Sequence, residues 1–120
     1  MKVTVQNSAT HGLSRKEAET IIRMLPPSIR RIAKSLVLYG TREPEICVTY
    51  HEKEQVIGLY WPMDRNPPPL KSEAINELLA ALSIIAESGN LPGRVSHSLR
   101  SRHLAAVSAI AKKCEEAFSQ

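Results

Sequence analysis

The chain has 120 residues, of which 42% are hydrophobic and 23% charged, with a formal net charge of +4. A chain of this length fits one domain and can bury a core without disulfide or metal support, so we expect a single domain over residues 1–120. No window approaches the roughly 20 apolar residues that a membrane span needs, and the first residues lack the apolar run of a signal peptide. We therefore expect a cytoplasmic globular protein without membrane contact. The mildly basic charge permits nucleic acid or an acidic protein as partner.

The first elements are short. Residues 3–5 (VTV) alternate like an edge strand or form a loose tail. Ser14 and Glu17 have the spacing of a capping box, in which each side chain bonds the other residue's backbone N–H. Apolar residues then recur at helical spacing, which predicts a helix over about residues 14–25. Pro26 and Pro27 end it, and a second short helix is expected over residues 27–34.

Three segments rich in β-forming residues follow, over residues 36–39, 46–50 and 56–61. The polar residues 51–54 between the last two predict a hairpin. Cys47 lies in one of these strands and Cys114 on a later helix, so we expect two buried free thiols rather than a disulfide, as in the reducing cytoplasm.

The second half of the chain is predicted to be mostly helical. Residues 67–69 are three prolines, which favour a stiff extended arm. A capping pattern at Ser72 opens the strongest helix, and Gly89 ends it. Its apolar residues form one stripe that we expect to be buried: Ile75, Leu78, Leu79, Leu82 and Ile85. A last helix is expected over residues 98–118, with Val107, Ile110, Cys114 and Phe118 on one face.

These elements predict an α+β fold. We expect a small antiparallel sheet of three to four strands, packed by two long helices, with a short helical segment before the sheet. The four histidines share no metal-ligand spacing, and no phosphate-binding loop or nucleophile motif is present. The sequence therefore predicts no catalytic residue, no metal site, no cofactor and no enzymatic activity.

One resemblance bears on that prediction. The patterns of residues 24–27, 36–38, 57–62 and 75–82 resemble, in order and spacing, a small zincin-type metallopeptidase domain. In that family the active helix carries His-Glu-x-x-His, whose two histidines hold zinc while the glutamate activates a water. Asn76 and Ala80 stand where the histidines would be, and only Glu77 matches. The resemblance thus implies a related fold without the metal ligands, that is, a degenerate metallopeptidase-like domain.

Positive charge is concentrated before and in the first turns of the last helix, at Arg94, Arg100 and Arg102. A helix N-terminus prefers anions, so cations there favour an anionic companion. That companion is nucleic acid phosphate, an acidic protein patch, or glutamates of this chain. Arg30 and Arg31 form a lesser basic cluster with the same alternatives.

The predicted function is non-catalytic. We expect an accessory, regulatory or inhibitory protein, of the kind that phages and mobile elements carry, that binds a macromolecular partner, with a protein favoured. The candidate binding residues are the arginines above together with Tyr60 and Trp61 in the last strand. The alternative is a nucleic-acid-binding regulator that uses the basic segment 94–102. Oligomeric state is not indicated by the sequence.

Overall fold

Four strands and four helices make up the described part of the chain. The computed structural model describes residues 1–6, 12–91 and 97–118, and of residues 97–101 and 106 the backbone alone. In chain order the elements are β1 (Lys2–Val5), α1 (Arg15–Met24), α2 (Pro27–Arg30), β2 (Ser35–Thr41), β3 (Cys47–His51), β4 (Val56–Pro62), α3 (Lys71–Ser88) and α4 (His97–Phe118). The predicted α+β class and the two long helices are confirmed.

The sheet is mixed, with the strand order β1-β2-β4-β3. The predicted hairpin is present, since β3 pairs antiparallel with β4. The expectation of an antiparallel sheet is wrong for the other two pairs, because β1 and β2 are parallel and so are β2 and β4. Helices α1 and α2 carry the chain back between β1 and β2, and β4 inserts between β2 and β3. As a result β3 lies at an edge of the sheet.

The start of α1 has the predicted capping box. The Ser14 N–H donates to Glu17 Oε1 at 2.9 Å, and the Glu17 N–H donates to Ser14 Oγ at 3.1 Å. The Lys71 ammonium also donates to Glu17 Oε2 at 2.9 Å, which ties the first turn of α1 to the first residue of α3. Burial alone would raise the pKa of the Glu17 carboxyl, but the bonds from Ser14 and Lys71 hold it below its ordinary value.

The ends of α3 agree only partly with the prediction. Gly89 ends the helix with a left-handed φ of 79°, and its N–H donates to the Ile85 carbonyl at 2.7 Å. Glycine has no Cβ to oppose that conformation. The expected cap at Ser72 is wrong, because α3 begins one residue earlier and its N-cap is Leu70, which makes no side-chain bond. The extended backbone at Leu70 places its carbonyl 3.0 Å from the Glu73 nitrogen.

The helices cover one face of the sheet, and one hydrophobic core lies between. Leu36, Leu38, Ile57 and Leu59 point into it from the two central strands, each with an exposed fraction of 0%. The whole predicted stripe of α3 is buried in the same core. Val107 and Cys114 of α4 are buried, while Ile110 and Phe118 pack partly buried against them. On the opposite sheet face most side chains are exposed or half-buried, and Pro62 at the end of β4 is buried.

Both cysteines are free, as predicted. Cys114 is buried, and burial, together with the nearby Glu115 carboxylate, raises the pKa of its thiol. The expectation of burial is wrong for Cys47, which is exposed because it lies on the edge strand β3. Within the described residues, no helix combines the length and apolarity needed to cross a bilayer.

Candidate functional site

A groove of about 630 Å³ lies between α3 and the segment that leads into β3. One wall is a stripe of α3 that begins at Glu73 and ends at Ile84. The other wall is residues 45–48, the start of the edge strand. Arg65 borders the groove from the loop before α3, and Leu91 and Leu104 border it near α4. The groove therefore joins three stretches that are distant in sequence, namely residues 45–48, residues 65–91 and the part of α4 around Leu104.

The helical wall exists because α3 has one buried stripe and a second stripe that is partly buried. One is the predicted core stripe. The second runs through Asn76, Glu77, Ala80, Ala81 and Ile84, at intervals of three and four residues that place them on one adjoining face. Ala80 and Ala81 are only 2% and 6% exposed. Their methyl groups form an apolar floor at the bottom of the groove, and neighbouring side chains cover most of it.

The opposite wall is a strand with one unpaired side. Beyond β4, β3 has no further neighbour among the described strands. The backbone N–H and C=O groups on the outer side of such a strand are a template for another extended chain. Ile46 and Val48 are half-buried and add apolar surface, and Cys47 is exposed.

Among the charged residues of the described lining, carboxylates outnumber cations. Glu45, Glu73 and Glu77 line the groove together with the Arg65 guanidinium, and Glu77 already has an interaction of its own. Arg65 Nη1 lies 3.2 Å from Glu73 Oε2, and both side chains are partly exposed, at 38% and 43%. The carboxylates of Glu45 and Glu73 favour a cationic group over a phosphate at this end of the groove.

The positions that carry the metallopeptidase resemblance, Asn76, Glu77 and Ala80, all line this groove. Neither an amide nor a methyl group supplies the nitrogen ligands that zinc takes from histidine. Among the described residues, no three His, Cys, Asp or Glu side chains are grouped so that they could hold a metal.

We predict that the purified protein binds no stoichiometric zinc, because both ligand positions lack an imidazole. Elemental analysis after dialysis against zinc checks this. The double variant Asn76→His with Ala80→His restores both histidines of the motif. It should still show no peptidase activity, because a third ligand and the supporting hydrogen bonds would be missing. Stoichiometric zinc in the unaltered protein would contradict the prediction.

A polar cluster that the sequence analysis missed joins α3 to α4. His103 is 4% exposed; its Nδ1 lies 2.6 Å from Ser83 Oγ and its Nε2 lies 2.9 Å from Glu87 Oε2. Serine, histidine and a carboxylate bonded in this order are typical of nucleophilic catalysis. Here Ser83 lies in the middle of α3, where backbone N–H groups are bonded within the helix and none is left for an oxyanion. The cluster instead satisfies a buried imidazole between two helices.

The basic segment is only partly described. Arg94 and the side chain of Arg100 lie outside the described residues. The Arg102 guanidinium bonds both oxygens of Glu87, at 3.1 and 3.2 Å, so its companion in this structure is a glutamate of the same chain. This is one of the alternatives that the sequence left open.

The remaining candidates lie elsewhere. Arg30, half-buried at the end of α2, lines a smaller hollow with Met1 and Ile22, and Arg31 is exposed beside it. Tyr60 is half-buried on the open sheet face and stacks on Tyr39, with ring centroids 4.7 Å apart. None of these residues lines the groove.

Trp61 and part of the proline segment 67–69 are buried. Trp61 is 7% exposed and belongs to the core, because it points to the helix-covered face of β4. In the segment 67–69, Pro67 and Pro68 are exposed and Pro69 is buried.

Comparisons with protein-family models, with curated proteins and with solved structures found no match for this chain. The function must therefore be argued from the groove and its chemistry.

Proposed function

We propose that this protein is a non-catalytic accessory, regulatory or inhibitory protein of the cytoplasm that binds an extended segment of a protein partner in the groove between α3 and β3. The observation that carries the proposal is the position of the groove. An apolar floor lies directly beside a strand whose outer side has no described partner.

The two walls have complementary roles. An extended segment added to a sheet edge gains affinity from main-chain hydrogen bonds, and pockets for alternate side chains give specificity. The outer side of β3 supplies the backbone groups. The half-buried side chains of the lining supply apolar surface for the side chains that point toward α3, above the buried floor of Ala80 and Ala81: Ile46, Val48, Leu91 and Leu104.

A protein partner is favoured over nucleic acid by the charges and rings. Carboxylates in the groove repel phosphates. On the open sheet face, Tyr39 and Tyr60 are nearly parallel, at 12°, so each presents one ring face to the other. Those faces are not open for bases to stack on. Arg102 already bonds Glu87.

We expect a displayed library of random 12-residue peptides to yield binders whose affinity depends on the groove. Cys47 offers a selective block of the sheet edge, because it is exposed on the edge strand that borders the groove, with its side chain on the sheet face opposite α3, while Cys114 is buried with a raised pKa. Protein conjugated at Cys47 with N-phenylmaleimide should bind the recovered peptides at least about tenfold more weakly, roughly 1.4 kcal/mol. Fluorescence anisotropy measures this.

The Cys47→Ser variant, treated with the same reagent, is the matched control and should bind normally. Replacement of Arg102 by Ala should leave peptide binding unchanged, because Arg102 bonds Glu87 and does not line the groove. The proposal that the groove is the binding site would be refuted if no binder were recovered. It would also be refuted if the conjugated protein bound the peptides as well as the unmodified protein. A pull-down whose partners disappear after nuclease treatment would instead support the nucleic-acid alternative.

A further inference from the structure

We infer that the bound segment carries a lysine or arginine side chain that pairs with Glu45 and Glu73 at the N-terminal end of α3. This side chain displaces Arg65 from Glu73. This inference rests on the proposed function, since it specifies the chemistry of the segment that the groove accepts.

The groove is chemically polarised along α3. Glu73 lies in the first turn, whereas Ile84 is eleven positions further on, roughly 16 Å along the helix axis at 1.5 Å per residue. Between them the lining changes from carboxylate to methyl groups, at Ala80 and Ala81. About five residues of extended chain span that length. A fitting segment is therefore basic at one end and apolar at the other.

The acidic end already binds a guanidinium. Arg65 reaches Glu73 from the loop between β4 and α3, and it belongs to neither a helix nor a strand. An ion pair whose partners are both more than a third exposed contributes little to stability, so exchanging its cation costs little. Glu45 faces the same groove from the opposite wall. The Arg65–Glu73 pair thus shows that this end of the groove accepts a guanidinium. Arg65 competes with the cationic side chain of the partner for Glu73.

The test uses the peptides recovered from the random 12-residue library. We expect lysine or arginine to be enriched at one position, with apolar residues toward the other end. Replacing that residue by neutral citrulline or norleucine in a synthetic peptide should weaken binding about tenfold or more, the loss of one charge-assisted contact. Glu45→Gln and Glu73→Gln should each weaken binding of the cationic peptide but not of its neutral counterpart.

Two further variants sharpen the result. Glu43→Gln removes an exposed carboxylate two residues from Glu45 that is outside the groove, and it should have no effect. Arg65→Gln should tighten binding of the cationic peptide severalfold and leave the neutral one unchanged. Thermal melts confirm that each variant is folded.

The outcomes separate the two proposals. If conjugation of the protein at Cys47 prevents peptide binding but the recovered peptides show no enrichment of lysine or arginine, the charge inference is overturned and the proposed function stands. No groove-dependent peptide at all would overturn the proposed function. Self-association in gel filtration that Glu73→Gln abolishes would make a second copy the occupant, and the inference of a separate basic segment would fall.

Discussion

Replacing Leu79 or Leu82 by alanine is expected to lower the free energy of unfolding by roughly 2–5 kcal/mol. Each side chain is 1% exposed and lies in the core between α3 and the sheet. Truncation removes buried methyl groups and leaves a cavity that the surrounding helices cannot fill fully. Because domains of this size are stable by only about 5–15 kcal/mol, either change should be visible in a melt.

Urea unfolding followed by circular dichroism measures the loss. Asn76→Ala on the same helix is the matched control, because Asn76 lies on the groove stripe and alanine is the better helix former. It should be neutral or slightly stabilising. Losses below about 1 kcal/mol for both leucine variants would place the stripe outside the core.

The helices could be predicted from the sequence because their signals are local. The box of Ser14 and Glu17, the three-four repeat of α3 and the stop at Gly89 each depend on neighbours within one or two turns. All three are present in the structure. Tertiary packing did not have to be known for any of them.

The order of the strands could not be predicted in the same way. Alternation with a period of two fixes which face of a strand is buried, but it does not specify which strand lies beside it. The insertion of β4 between β2 and β3 is decided by packing between distant segments. The sequence therefore predicted the hairpin correctly and the overall strand directions wrongly.

The groove was missed for a related reason. Its walls come from residues 45–48 and from a second stripe of α3, and alanines and glutamates on a helix are unremarkable alone. Asn76, Glu77 and Ala80 were noted only through the metallopeptidase resemblance. His103 left a readable signal, since it lies four residues before Val107 on the buried face of α4. Ser83, which interrupts an apolar run, left another.

Trp61 and Tyr60 give the sharpest test of the sheet, because they are adjacent in β4 and point to opposite faces. Trp61→Ala is expected to lower the free energy of unfolding by about 3–5 kcal/mol. Its ring is buried in the core and packs directly on the backbone at Gly12, where any Cβ would overlap it. Tyr60→Ala removes a half-buried ring, and its stack with Tyr39 contributes about 0.5–1.5 kcal/mol beyond the buried area.

Urea melts of the two variants, analysed with a common m-value, should therefore show a clearly larger loss of unfolding free energy for Trp61→Ala than for Tyr60→Ala. The register that pairs Tyr39 with Tyr60 and Gly40 with Trp61 requires this order. A shift of one residue would exchange the two faces of the strand and reverse the order of the losses. Equal or reversed losses would thus contradict the register of β4 against β2.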